Sequence, residues 1–369
     1  MCNRSYTLIR SILLIILALP LVAEGKSPVI RIDMNNYRVG DFDKEIKQIS
    51  CLKLKKSHYD TTRQLVFYKD RIYVMGYTIA GASVLIYDLV GNFIKEIRLP
   101  DAIAVNSMTA IPQLNELWIT SYCKFIKKYQ PDGKLIKKIS LPFPCTGLYP
   151  TGNHEYLVYS GGAGKAIERH AFALTDFKAI RELFIPMHFQ RDVSHNFIGT
   201  YVADPSSGNL LLFPDNIDTV YTFDKQKKEL FPLFHLDFHG DFMKLKDAPN
   251  SDREMSEIIT QKRYIYSHNS LSVASGKLFF RTLGKHSHLY SIRMTDRQVA
   301  VFNDLFDNYP LEYTPFFHSD GKKLYAVIQE KKIVEHYKKH KCTYPALQKI
   351  LPSLSANGQE HYLITIELK

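Results

Sequence analysis

The sequence predicts an all-β protein: a six-bladed β-propeller closed by an N-terminal strand, with short helical insertions. The first observation is a repeated segment, since Tyr87–Pro100 and Tyr129–Pro142 align over their whole length, 42 residues apart. The second is a series of short alternating segments that recur at blade spacing along the chain. The third is a last blade that lacks an outer strand, which Ile49–Leu54 can supply.

The repeat defines the first two blades. Its tyrosine, glycine, isoleucine, leucine and proline positions all fall in register, and Gly91 and Gly133 lie in the outer hairpin turns. Glycine suits such turns because it accepts a positive φ without steric cost. The predicted strands of these blades are Leu65–Phe67, Arg71–Tyr77, Val84–Asp88, Phe93–Leu99, Met108–Ile111, Glu116–Thr120, Phe125–Tyr129 and Leu135–Leu141.

Four further blades are predicted from weaker patterns. The third spans Gly147–Pro186, the fourth Ile198–Phe238, and the fifth begins near Leu271. The sixth begins near Pro315. Its strands are Lys323–Gln329 and Tyr362–Leu368.

Two polar insertions interrupt the strands, Asp241–Arg263 and Lys331–Leu351, and each is predicted to contain a short helix. In the first, Ser251–Glu254 resembles a capping box.

Closure of the ring is predicted at the sixth blade. The segment Ile49–Leu54 should pair beside Tyr362–Leu368 and thereby cover an open sheet edge. Residues 26–369 are therefore expected to form one propeller domain.

Residues 1–25 have the features of a secretory signal peptide. Arg4 and Arg10 precede the short apolar stretch Ile12–Leu19, and Ala23-Glu24-Gly25 is a suitable cleavage site. We expect cleavage near Gly25 and a periplasmic or extracellular location. No later apolar run has spanning length, so a protein that does not span the membrane is expected.

The net charge is +11, with lysines dispersed through turns and outer strands. The densest basic cluster, Lys331-Lys332 with Lys338–Lys341, is interpreted as a solvated face, and nucleic-acid binding is not expected. Four cysteines follow the predicted signal peptide and allow three pairings, of which the sequence selects none: Cys51, Cys123, Cys145 and Cys342. A bridge between Cys123 and Cys145, in neighbouring blades, and buried free thiols are both compatible with this pattern.

Several segments carry a family resemblance: Ile86-Tyr87-Asp88 with Gly91, Asp218–Asp224, Asn357–Ile366 and Ile49–Leu54. With them the chain resembles the six-bladed propellers exported by Bacteroidetes, which are related to NHL-repeat propellers. The resemblance covers nearly all of the chain after the signal peptide and implies the fold, not an activity. The chain departs from it at Leu99–Asp101 and Leu141–Phe143, where relatives often have a glycine-rich connection, and it lacks the lipidation cysteine of many relatives.

Propellers usually bind ligands on loops over the central channel. The candidate ligand-binding residues on such loops are Arg191, His195, His268, His286 and His288. His286 and His288 could lie on one face of a strand because side chains alternate there. With His268 they could then bind a metal, although polar loop histidines explain the pattern equally simply. Arg191 could donate to an anion or a sugar hydroxyl.

Other motifs carry less information. Gly161–Lys165 lacks the spacing of a phosphate-binding loop and is interpreted as a turn. Trp118 lies at a strand position and is expected to pack between blades. A serine nucleophile elbow is not found.

The predicted function is therefore a ligand- or protein-binding module of the cell envelope. Its partner would be an envelope protein or a carbohydrate, and we expect no cofactor and a monomer. The alternative is a propeller enzyme, a metal-assisted lyase or hydrolase acting on a small or carbohydrate substrate. Binding is favoured over catalysis because no catalytic spacing stands out.

Overall fold

The computed structural model describes residues 27–78, 80–99, 105–121, 124–160, 167, 170–186, 201–204, 206–214, 217–243, 252–303, 318–339, 341–342 and 345–369. Their strands form six small sheets, each built around four strands, as predicted for a six-bladed β-propeller. Neighbouring strands within each four-stranded blade are antiparallel.

The first three blades contain twelve strands. These are β4 (Thr61–Tyr68), β5 (Arg71–Thr78), β6 (Gly81–Asp88), β7 (Phe93–Leu99), β8 (Val105–Ile111), β9 (Glu116–Ser121), β10 (Phe125–Tyr129), β11 (Leu135–Ser140), β12 (Gly147–Gly152), β13 (Glu155–Tyr159), β14 (His170–Thr175) and β15 (Ile180–Pro186).

The last three blades contain the remaining strands, three of which come from the N-terminal segment. These are β1 (Val29–Arg31), β2 (Gly40–Asp41), β3 (Ile46–Leu54), β16 (Tyr201–Ala203), β17 (Leu210–Leu212), β18 (Thr219–Asp224), β19 (Glu229–Asp237), β20 (Ile265–Ala274), β21 (Lys277–Gly284), β22 (Leu289–Arg293), β23 (Val299–Asn303), β24 (His318–Ser319), β25 (Lys323–Gln329) and β26 (His361–Leu368).

The hydrophobic core lies between adjacent blades, because each twisted sheet buries side chains on both faces. Tyr73 and Val84 of the first blade pack with Leu117 and Ile119 of the second. Trp118 is 1% exposed, and the centroid of its ring lies 4.8 Å from that of Tyr156 in the third blade. The expectation that Trp118 packs between blades is confirmed.

The closing strand is β3, which pairs antiparallel with β26 over its whole length. Leu54 lies opposite His361, and Ile49 opposite Ile366. The side chain of Ile49 is buried in the core of this blade. The predicted closure by an N-terminal strand is confirmed.

A buried polar pair lies where the closing strand leads into the first blade. Ser57 is 6% exposed and His361 is 2% exposed, and the Ser57 hydroxyl hydrogen-bonds with His361 Nδ1. The aromatic ring of Tyr59 contacts that of His361 edge-on. This hydrogen bond joins the segment between β3 and β4 to the first residue of β26.

The N-terminal segment also extends two other blades, which the sequence did not predict. β1 pairs parallel with β19 as a fifth strand, and β2 pairs parallel with β23 in the next blade. These strands are too short to show alternation, so no local pattern reveals them. The chain thus runs along the outer edges of the fourth and fifth blades before it closes the sixth.

In the described part of the chain, three α-helices lie outside the blades: α1 (Asp252–Gln261), α2 (Glu330–Lys339) and α3 (Pro345–Ile350). The first agrees with the predicted insertion. Where one helix was expected over Lys331–Leu351, there are two. Ile333 of α2 and Leu347 of α3 are both fully buried against the closing blade.

The inner strand of the fifth blade begins at Ile265, earlier than the predicted Leu271. It contains a register shift between Asn269 and Ser272, which interrupts the alternation that a strand prediction uses. The predicted start of the sixth blade, Pro315, lies outside the described residues.

Cys51 and Cys145 carry free thiols. Cys145 Sγ donates a hydrogen bond to the carbonyl oxygen of Gly147 at 3.3 Å, and burial raises the pKa of this thiol. The Cys123–Cys145 bridge is therefore not formed, and Cys123 itself lies outside the described residues. Burial, with a contribution from nearby Cys342, raises the pKa of Cys51 to about 12.

The two repeat glycines have the same φ of +82° but different neighbours. A Cβ at Gly91 would overlap the backbone carbonyl of Lys53 in the closing strand. A Cβ at Gly133 would meet only side-chain ends, Ile97 Cγ1 at 3.0 Å and Ile86 Cδ1 at 3.1 Å.

We therefore expect Gly91→Ala to lower the free energy of unfolding by about 3 kcal/mol or more, since it adds a backbone clash to the left-handed strain. Gly133→Ala, the matched control, should cost about 1–2 kcal/mol, because the isoleucine side chains can move aside. Urea denaturation of both variants measures the difference. Equal losses would contradict the assigned role of Gly91 in packing against the closing strand.

Candidate functional site

The candidate site lies on the face of the propeller that carries two sets of loops. One set joins the second and third strands of each blade, and the other leads from each outer strand to the next blade. In the fourth and fifth blades these loops include Asp218 before β18, residues 238–243 after β19, and residues 285–288 before β22. They bring polar groups from distant parts of the sequence to this one face.

His286 is held there by Asp241. His286 Nε2 lies 2.7 Å from Asp241 Oδ2, and Lys285 forms an ion pair with the other carboxylate oxygen. Burial alone would raise the pKa of Asp241, but the hydrogen bonds from Lys285 and His286 outweigh it and lower that pKa. Asp241 is therefore a carboxylate in the folded protein and fixes the imidazole ring.

His286 and His288 do not lie on a strand, so the predicted alternation does not apply to them. Both are in the short connection between β21 and β22, and His288 N donates to the carbonyl oxygen of His286 at 3.0 Å. Thr282 connects the histidine backbones. It pairs with His268 in the sheet, its hydroxyl donates to the His286 carbonyl, and its N–H donates to the His288 carbonyl at 3.2 Å. The three predicted histidines are thus close in backbone position.

Among the described residues, no three His, Cys, Asp or Glu side chains come together as metal ligands. Asp241 accounts for His286 as a hydrogen-bonded pair. The other two predicted residues, Arg191 and His195, lie outside the described residues, as does Gly161–Lys165.

A cavity of about 570 Å³ lies beside Asp241 and its partners Lys285 and His286. Asp241 stands in sequence between two lining residues, Gly240 and Phe242. The described residues that line it are Val29, Ile217, Asp218, His235, Leu236, Asp237, Phe238, Gly240, Phe242 and Met243.

Hydrogen bonds fix the polar part of this lining. Thr219 Oγ1 lies 2.7 Å from His235 Nδ1 and donates to Asp218 Oδ1 at 3.2 Å. The Leu236 N–H donates to the Asp218 carbonyl at 2.6 Å. Asp237 Oδ1 accepts from the His239 N–H at 2.9 Å. The cavity wall is therefore preorganised by contacts between β18, β19 and the following loop.

The N-terminal segment forms part of the same wall. Val29 lies opposite His235 in the parallel pair of β1 and β19, and its side chain is 59% exposed. The Ile32 N–H donates to the Asp237 carbonyl at 2.7 Å. An edge strand that was not predicted thus completes the cavity.

The described lining of the cavity differs in charge from the chain as a whole. Its described residues include two carboxylates, Asp218 and Asp237, and neither lysine nor arginine, whereas the whole chain carries +11. Apolar side chains, including Phe238, Phe242 and Met243, supply the rest of the wall. Such a mixture of apolar surface with a few fixed polar groups is typical of small-molecule sites.

Sequence reasoning missed these residues for a specific reason. Asp218 stands at the start of a segment that was used only as evidence for the fold. His235 and Asp237 alternate with the buried Phe234, Leu236 and Phe238, so they look like the solvent face of an ordinary strand. That alternation was the available signal, since two titratable residues at the end of an outer strand border a loop face.

The fold and the loop-face cavity define the protein's class as a six-bladed β-propeller with a candidate ligand site on its loop face. No family model matches the chain, and neither does any curated protein. Two solved structures from Bacteroides share its architecture.

A Bacteroides fragilis NCTC 9343 protein, provisionally described as exported, superposes with a TM-score of 0.70 at 15% identity, covering 92% of this chain and 99% of that protein. A DUF4221 family member from Bacteroides vulgatus ATCC 8482 gives a TM-score of 0.52 at 10% identity, covering 88% of this chain and 98% of that one. At these identities the likeness shows the fold.

The predicted resemblance to exported Bacteroidetes propellers is thereby confirmed at the level of fold. The description of the first neighbour as exported also fits the expected export of this chain. The relation to NHL repeats stays a prediction. None of the helices in the described ranges is long and apolar enough to cross a membrane.

Proposed function

We propose that this protein is an exported binding propeller whose loop-face cavity takes an amphipathic cation, such as an amine with an apolar or aromatic part. The observation that carries this proposal is the cavity itself. Its described lining contains two carboxylates and neither lysine nor arginine, on a chain with an excess of basic residues.

The charge and the apolar surface of the cavity together select the ligand. A ligand ammonium can donate hydrogen bonds to Asp218 and Asp237, and charge-assisted hydrogen bonds are the stronger kind. Phe238, Phe242 and Met243 provide apolar contact for the rest of the ligand. A carboxylic acid or a phosphate would instead meet like charge, which disfavours binding.

The neighbouring Asp241, Lys285 and His286 form the rim of this site in the proposal. A ligand that extends beyond the cavity would meet the Lys285 ammonium and the His286 imidazole, both of which Asp241 holds in place. His268, His288, Arg191 and His195 are proposed as further contacts for a larger ligand on the same face.

An envelope protein or a carbohydrate remains compatible with this site. A protein partner could insert a lysine side chain, and sugar hydroxyls can donate to carboxylates. Catalysis by a bound metal has no comparable support among the described residues, so binding is the proposed activity.

The test compares phenethylamine with its neutral analogue 2-phenylethanol by isothermal titration calorimetry. We expect the amine to bind and the alcohol to bind at least tenfold more weakly. Asp237→Asn and Asp218→Asn should each weaken amine binding by about tenfold, because each removes one ionic partner. Asp296→Asn, in an exposed turn of the fifth blade, is the matched control and should leave it unchanged.

Equal affinities for the amine and the alcohol would overturn the cationic class. Binding of a neutral methyl glycoside in preference to both would favour a carbohydrate. Unchanged amine binding in both Asp variants would show that the cavity is not the site.

A further inference from the structure

The exposed apolar side chains of this protein are concentrated on one part of its outer rim. Seven large hydrophobic side chains are exposed among the described residues, and five of them belong to the first two blades. These five, which we call the rim patch, are Leu89 (51%), Val90 (66%), Ile94 (45%), Leu135 (52%) and Ile136 (45%).

The rim patch follows from the sequence repeat. Ile94 and Ile136 occupy equivalent positions of the outer strands β7 and β11, directly after the two hairpin turns. The second turn packs on the first blade, because Gly133 lies against Ile97 of β7. The two groups of exposed apolar side chains therefore belong to outer hairpins of adjacent blades that pack on each other.

Basic side chains surround the patch. Exposed lysines lie on the same strands and turns or, in the segment after β3, beside the first turn. They are Lys95, Lys134, Lys137, Lys138, Lys55 and Lys56. Lys55 Nζ is placed there by a hydrogen bond to Asn92 Oδ1 at 2.8 Å.

The nearest carboxylates are fewer than the lysines and are engaged locally. Asp88 accepts hydrogen bonds from Asn92, Asp132 accepts one from the Lys134 N–H at 2.9 Å, and Glu96 forms an ion pair with Arg98. The rim patch therefore combines apolar contact area with an excess of positive charge.

We propose that the rim patch binds an anionic membrane surface and holds the propeller edge-on against it. Exposed apolar side chains can enter the boundary between headgroups and acyl chains, while lysines pair with anionic headgroups. The complementary charge selects a lipid surface that carries acidic headgroups. This inference is independent of the cavity on the loop face.

Protection of a sheet edge explains only part of this arrangement. β11 is the outermost strand of its blade, and lysines on such strands discourage pairing with other chains. Protection requires charge alone, however. Leu135 and Ile136 add exposed apolar surface to the same strand and so work against it.

The experiment measures co-sedimentation of the protein with vesicles. Vesicles of phosphatidylcholine with about one third phosphatidylglycerol should bind it at low salt, and pure phosphatidylcholine vesicles should not. Binding should weaken as salt rises, because screening shortens the range of the lysine attraction. Leu135→Ser with Ile136→Ser, and separately Lys137→Glu with Lys138→Glu, should each reduce the bound fraction by about tenfold or more.

The matched control lies on the fourth blade, where Phe231 is also exposed, at 42%, close to Lys227. Phe231→Ser with Lys227→Glu should change vesicle binding less than twofold. An equal loss in this control would mean that overall charge, not the rim patch, drives binding.

Two other outcomes would overturn the proposal. One is equal binding to both kinds of vesicle. The other is no vesicle binding together with concentration-dependent self-association that the Leu135/Ile136 variant abolishes, which would assign the patch to a second copy of this chain.

Discussion

Deletion of residues 27–54 is expected to prevent the chain from folding into a soluble monomer. This deletion removes the nine-residue strand β3 and leaves β26 as an open edge of the sixth blade. β3 alone contributes three buried apolar side chains, those of Ile46, Ile49 and Leu54. Burial of each contributes about 1.5–3 kcal/mol, so the loss is comparable with the whole stability of a typical domain.

The matched control is a shorter deletion, residues 27–41. It removes β1 and β2, which are only added edges of complete four-stranded blades, and it leaves β3 in place. This variant should remain monomeric and melt cooperatively, at a moderately lower temperature because Ile30 and Ile32 leave the core. Size-exclusion chromatography and thermal melts of both variants test the contrast. A soluble 27–54 deletion that melts like the full chain would show that β3 does not close the ring.

Acidification is expected to destabilise the protein through His361. This side chain is almost fully buried, and burial, with smaller contributions from Lys332 and His58, lowers its pKa from 6.5 to about 3. The neutral imidazole is thus the form that the folded protein accepts. In the unfolded chain the same histidine takes up a proton near pH 6.5.

The sign of the effect follows from this difference. Because the folded pKa is depressed, the contribution of His361 is fully present above about pH 6.5 and is lost as the pH falls toward 3. At pH 5 the loss should be about 2 kcal/mol, since each unit of pH corresponds to about 1.4 kcal/mol. His318, with its pKa lowered to about 4 by burial, should add a similar and separate dependence.

The variant His361→Gln isolates the effect. It should be less stable at pH 7.5, where the packing and the Ser57 contact are altered, but its stability should fall less steeply between pH 6.5 and 5. His239→Gln is the control, because its side chain is 67% exposed and it is not among the groups that lower the pKa of His361. Urea titrations at each pH measure both. If His361→Gln kept the full pH slope, the buried histidine would not be its source.

The blades could be predicted well where local patterns repeat. Phe93–Leu99 and Phe125–Tyr129 match β7 and β10 at both ends. The inner strands were harder, and β4 begins at Thr61 rather than Leu65. Register shifts occur in β4, β8 and β20, and they break the period-two pattern on which prediction depends.

The candidate site was predictable only in part, because its contacts are made across long sequence separations. His286 was found as a polar loop residue, but its partner Asp241 lies 45 residues earlier and nothing local connects them. The cavity was still harder to predict. Val29 lines it because a three-residue edge strand pairs with β19, and Asp218 and Asp237 line the same cavity only once β18 and β19 have paired.

The closing strand has a consequence for the order of events during synthesis. Lys47 in β3 emerges 320 residues before Glu367, its ion-pair partner in β26. At about 5–20 residues per second this interval lasts roughly 15–65 s. For that time β3 lacks the strand with which it pairs. Its alternating sequence, with Lys47, Gln48, Ser50 and Lys53 between the apolar residues, reduces the tendency of a waiting strand to pair with the wrong chain.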